Sequence, residues 1–86
     1  MPQYAIVVAR TARKELQALP HTIVARILKK VELLALNPRP YDSKKLHGHS
    51  SLWRVRVGAY RVVYVIDDDK KIVDVAIVRH RSDAYR

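Results

Sequence analysis

The sequence predicts an α+β fold in which an antiparallel sheet packs on a helical hairpin, with elements in the order β-α-α-β-β-β. Three observations carry that expectation. The stretch Leu52-Trp53-Arg54-Val55-Arg56-Val57-Gly58-Ala59-Tyr60-Arg61-Val62-Val63-Tyr64-Val65-Ile66 alternates apolar and other residues on both sides of Gly58-Ala59, as two strands joined by a tight turn do. Two segments upstream repeat apolar residues at helical spacing and are separated by Pro20. Short β-branched runs, one near each end of the chain, complete the sheet.

Taken in order, Tyr4 to Ala9 is an apolar run that suits a buried or edge strand, and Thr11 is placed to cap a helix beginning at Ala12. Ala12, Leu16 and Leu19 share one face of that helix, while Arg13, Lys14 and Gln17 face outward. A longer helix is expected from His21 to Leu36, with Val24, Ile27, Leu28, Val31, Leu34 and Ala35 forming its apolar stripe. Asn37-Pro38-Arg39-Pro40 stops it. Tyr41 to Ser51 reads as a polar loop leading into the hairpin. A two-residue loop at Gly58-Ala59 sets Val57 opposite Tyr60, Arg56 opposite Arg61, Val55 opposite Val62 and Arg54 opposite Val63. Trp53, Val55, Val57, Tyr60, Val62 and Tyr64 then form a core face, with Arg54, Arg56 and Arg61 on the other. Asp67-Asp68-Asp69-Lys70 turns the chain into a last strand, Lys71 to Val78, with Val73, Val75 and Ile77 toward the core. Strict alternation would aim Arg79 inward, so the strand should end or bulge just before it.

At 86 residues the chain has room for one domain, spanning 1–86, and one modest core. Seventeen Lys and Arg against eight Asp and Glu give a formal charge of +9. A polyanionic partner follows: nucleic acid, an anionic membrane face or an acidic protein segment. There is no cysteine, which excludes disulfides and cysteine-ligated metal centres. The N-terminal apolar run is too short for a signal-peptide core, and no segment approaches the roughly 20 apolar residues of a membrane span. The expected location is cytoplasmic.

Like charges across a ladder destabilise a sheet, so an anion is the natural reason to set Arg56 opposite Arg61. Guanidinium is planar, permanently charged and matches phosphate oxygens bidentately. Arg54, Arg56, Arg61, Arg79 and Arg81 are therefore the leading candidates for phosphate binding and for stabilising a phosphorane. The plain alternative is a solvated arginine face. Lys44 and Lys45 join Arg54, Arg56 and Arg61 as candidate RNA or phosphate contacts. His80, among Arg79, Arg81 and Tyr85, is the one residue there of the type most used for acid–base work. Tyr85 could stack on a base or bond a ribose hydroxyl, or be an idle terminal aromatic. His47 and His49 offer two metal ligands with no third nearby, and the three aspartates lack the calcium-loop spacing, so neither a metal nor another cofactor is expected.

Lys45-Leu46-His47-Gly48, Leu52 to Tyr64, and Val78-Arg79-His80-Arg81-Ser82-Asp83-Ala84-Tyr85 together resemble the RelE/ParE toxin superfamily, most like its RelE branch. The resemblance implies a toxin of a type II toxin–antitoxin pair that cleaves mRNA in the ribosomal A site without metal. It also implies a hetero-oligomer with an acidic, RelB-like antitoxin wrapped on the basic surface. Carried over by position, Arg54 and Arg56 match the family's basic pair, Arg61 its phosphate-stabilising arginine, Arg79 and Arg81 its C-terminal basic residues, and Tyr85 its terminal tyrosine. The best-known members have lysines where Arg54 and Arg56 stand, and a guanidinium with a pKa above about 12 is a poor proton carrier. Proton transfer is accordingly assigned to His80, with Tyr85. Two other readings stay open: a ParE-like gyrase inhibitor without nuclease activity, and a non-catalytic nucleic-acid-binding module.

Overall fold

The hairpin forms in the register that alternation requires. In the computed structural model, which describes residues 3–46 and 51–82, the elements are β1 (Ala5–Val8), α1 (Arg10–Gln17), α2 (His21–Leu36), β2 (Lys44–Lys45), β3 (Leu52–Val57), β4 (Tyr60–Asp67) and β5 (Ile72–His80). They build a five-stranded sheet in the order β1-β5-β4-β3-β2. Val57 pairs with Tyr60, Arg56 with Arg61, Val55 with Val62 and Arg54 with Val63. Gly58 supplies the positive φ, 58°, that the tight turn needs.

The sheet departs from the expected antiparallel arrangement at one edge, where β1 lies parallel to β5. The two helices carry the chain away from β1, so it returns to that edge only through the rest of the sheet, and direction is unconstrained by a hairpin. Helix α1 also begins earlier than expected. Ala9 donates its N–H to Val75 O, which holds it extended at the cap, and no side chain caps the helix. Thr11 consequently lies inside the first turn. In α2 the bounds are as expected, but Leu28 is 42% exposed, so the buried stripe narrows to Ile27, Val31, Leu34 and Ala35. Strand β2 was given no signal by its two lysines, which have little β preference.

One core results. Ala12, Ile27, Val31 and Leu34 from the helices meet Val55, Val62, Tyr64, Ile66, Val73, Val75 and Val78 from the sheet, with Trp53, Val57 and Tyr60 packed at its margin. Each fully buried aliphatic side chain contributes about 1.5–3 kcal/mol by leaving water.

Tyr64 is the largest of the fully buried side chains, and its hydroxyl donates to Pro38 O at 2.8 Å. That bond ties the loop after α2 to the middle of the sheet. Burial pushes the phenol up to about 12. Because the folded value lies above the unfolded one, the contribution is complete below about pH 10 and is lost as pH rises from 10 to 12. Tyr64→Phe should cost about 1–3 kcal/mol at neutral pH by stranding the Pro38 carbonyl. The variant should also lose part of the alkaline decline seen in wild-type urea melts between pH 10 and 12.

The aspartate turn is structural. Asp67 Oδ1 accepts the Lys70 N–H, while the Asp68 carboxylate accepts both terminal nitrogens of Arg39 and the Tyr4 hydroxyl. The Arg39 and Tyr4 hydrogen bonds hold the Asp68 carboxyl down at about 2. Arg39 also lies over the Trp53 ring, 5.4 Å from its centroid.

Strand β5 contains the irregularity that alternation called for, three residues earlier than Arg79. Tyr64 pairs with Val75 and Val63 with Ile77, leaving Ala76 as an extra residue on β5. The bulge exchanges the faces beyond it. Val78, not Ile77, enters the core, 2% exposed opposite Val62, and Arg79 comes to stand opposite Arg61. The strand thus continues through Arg79 to His80.

Candidate phosphate-binding cleft

The arginine face is built from rungs of the ladder. Arg56 on β3 faces Arg61 on β4, and Arg61 faces Arg79 on β5, so three neighbouring strands set three arginines in a row on the side away from the core. The next rung on that side runs through Lys44, Arg54, Val63 and Ile77. Lys45 pairs with Trp53 and so belongs to the opposite face, apart from the other candidate phosphate contacts.

The arginines differ in environment. Arg54 and Arg61 are buried, 8% and 9% exposed, whereas Arg56 and Arg81 are exposed. Arg54 has no acidic partner among the described residues, and its Nε is buried without a hydrogen bond. Burying a permanent charge is costly unless an opposite charge approaches it. Arg79 is compensated within the fold: its Nε–H donates to Glu15 Oε2 at 2.7 Å, and Glu15 Oε1 accepts the Val78 N–H at 2.9 Å.

At the hairpin turn the face opens into a cleft of about 150 Å³ lined by Arg56, Arg61, Arg81, Tyr60, Gly58 and Ala59. Arg81 reaches it because its N–H donates to Ala59 O at 2.7 Å, which carries the end of β5 alongside the turn. Three guanidinium groups around so small a concavity form a site for an anion with several oxygens, such as a phosphodiester.

His80 is directly opposite Tyr60, so its ring lies on the other face of the sheet from Arg61 and Arg79. The two rings meet edge to face with centroids 5.4 Å apart, and His80 Nδ1 is 2.9 Å from Ser82 Oγ. Since Tyr60 also lines the cleft, His80 stands behind a wall of the site. Tyr85, His47 and His49 lie outside the described residues. Sequence reasoning missed Glu15, which reaches Arg79 from 64 positions away and carries no local signal. It also missed Tyr60 as a cleft residue, because its alternation marked it only for the core.

Residues 6–85 match the family model for the ParE toxin of type II toxin–antitoxin systems. This chain belongs to the RelE/ParE toxin family. It is 34% identical to the RelE toxin of Mycobacterium tuberculosis over 84 residues, covering 96% of this chain and 87% of that protein. Among solved structures, the archaeal RelE–RelB complex from Pyrococcus horikoshii superposes with a TM-score of 0.83 at 30% identity, covering 95% of this chain and 99% of that one. The isolated E. coli RelE toxin gives 0.80 at 28% identity, over 90% of this chain and 83% of that one. As a RelE/ParE family member, the chain is a toxin of a type II toxin–antitoxin system, and its relatives place it with the RelE toxins.

Proposed function

We propose that this RelE-family toxin is a ribosome-dependent endoribonuclease that cuts mRNA in the A site and thereby arrests translation in the cytoplasm. The observation that carries the reading is the convergence of Arg56, Arg61 and Arg81 on one cleft, with Arg79 beside Arg61 in the same row. The ribose 2′-oxygen attacks the adjacent phosphorus as the bond to the 5′-oxygen breaks, leaving a 2′,3′-cyclic phosphate and a 5′-hydroxyl. One proton leaves the 2′-hydroxyl and one reaches the 5′-oxygen. Positioned guanidinium groups supply in-line orientation and stabilise the charge that builds on the phosphorane oxygens. Arg54 and Lys44, one rung away, extend the track for the flanking backbone.

Permanently charged arginines cannot serve in proton transfer, which is proposed for Tyr85 and, only by way of the Tyr60 ring it packs against, for His80. His80→Ala with an unchanged pH–rate profile would remove His80 from that role. The partner is an acidic, RelB-like antitoxin covering the cationic surface; relatives of this fold were solved as RelE–RelB complexes.

The matching family model carries the ParE name, and the second reading is accordingly the ParE-like one, gyrase inhibition without RNA cleavage. Primer extension on cellular mRNA shortly after induction separates the two. Cuts inside translated regions that vanish in an Arg61→Ala/Arg79→Ala double variant are the expected result. Intact mRNA with growth arrest and DNA damage would move the chain to the gyrase reading.

A further inference from the structure

A second cationic concavity lies across the hairpin turn from the arginine cleft. It has a volume of about 340 Å³ and is walled by Arg26, Lys29, Lys30 and Leu33 of α2 and by Arg56 and Val57 of β3, with Gly58 at its end. The α2 residues fall at i, i+3, i+4 and i+7 and so share one stripe of the helix. Like charges at that spacing repel, so the stripe opposes helix stability unless something negative meets it. Lys30 is satisfied by Asp42 at 2.7 Å. Arg26 and Lys29 have no acidic partner among the described residues, and both are exposed.

Arg26 is brought against the turn itself. A Cβ on Gly58 would stand 3.2 Å from Arg26 Nη2 and 3.4 Å from Nη1, so the missing side chain is what admits the guanidinium. Arg56 and Gly58 line both concavities, which makes groove and cleft neighbours across a single turn. Leu33 and Val57 add apolar surface between the cations, suited to the face of a ribose or base.

We infer that the groove between α2 and the β3–β4 turn is a second RNA subsite, in which Arg26 and Lys29 hold phosphates of the same strand whose scissile phosphate occupies the arginine cleft. This inference rests on the reading of the cleft as an RNA site. The groove would fix the path of the strand past the turn, with Arg56 shared between neighbouring phosphates.

The test measures binding of a single-stranded, 2′-O-methylated RNA decamer, which cannot be cut, as a function of salt. Each phosphate contact on a single strand contributes about 0.7 to the slope of log K against log salt. Arg26→Gln/Lys29→Gln should therefore flatten the slope by about 1.4, and Lys29→Gln alone, at an exposed position away from the turn, by about 0.7. Unaltered thermal melts would show that folding is intact. An unchanged slope in Lys29→Gln and the double variant, with Arg61→Ala still weakening the decamer, would overturn the groove and leave the cleft standing. Failure of the wild-type protein to bind the decamer in a salt-dependent way would overturn the groove as a subsite, while the cleft reading stands or falls on the primer extension. Weakened binding of an acidic peptide, with RNA binding untouched, would assign the groove to a protein partner and overturn the inference.

Discussion

Arg61→Ala is expected to slow single-turnover cleavage on a programmed ribosome by about 10²–10³-fold, the usual cost of removing one preorganised donor from a developing oxyanion. Arg61 is the middle member of the row, flanked by Arg56 and Arg79, and it is nearly excluded from solvent, where its field is least screened. Arg61→Lys should recover only part of the loss, because an ammonium keeps the charge but not the planar fork that engages two oxygens. Arg81→Ala, at an exposed position, should cost less than Arg61→Ala. Full activity in Arg61→Ala would remove the arginine row from the chemistry.

The second large effect concerns folding. Val78→Asp should destabilise the protein by about 3–5 kcal/mol, because the carboxylate would be buried and unpaired among core valines. Ile77→Asp, one residue earlier, should change stability by less than about 1 kcal/mol, since that side chain shares a face with Arg79. Equilibrium urea unfolding of the two variants measures the difference. Without the Ala76 bulge the order of the two effects would be reversed, so the pair reads the bulge directly.

Much of this was legible because the hairpin specifies itself. Gly58 marks the turn, and a one-residue slip would have driven Arg54, Arg56 and Arg61 into the core, so only one register was available. The long helix was equally plain, since Pro20 and Asn37-Pro38-Arg39-Pro40 bound its apolar stripe. Less legible were the features fixed by distant partners. The Ala76 bulge was foreshadowed by Arg79, but its position, one residue past the last β1–β5 pair, carries no local signal. The start of α1 depends on Ala9 meeting Val75 O and the parallel edge on the long-range pairing of β1 with β5, neither of which a local pattern encodes. Within the cleft, the arginines announced themselves by their shared face. The separation of His80 and Lys45 from that face was already implicit in strand alternation once the final registers were known.

Glu15 bears on more than the placement of Arg79. Strand β1 pairs only with Ile72 to Val75, so the last part of β5 has β4 on one side and, among the described residues, no strand on the other. A free strand edge of this kind is a template on which another chain can add in register. By taking the Val78 N–H, the Glu15 carboxylate occupies a donor that such a chain would use, and it sets a negative charge where an incoming carbonyl would have to sit. One acidic side chain on α1 thus closes part of this edge to the addition of a further strand.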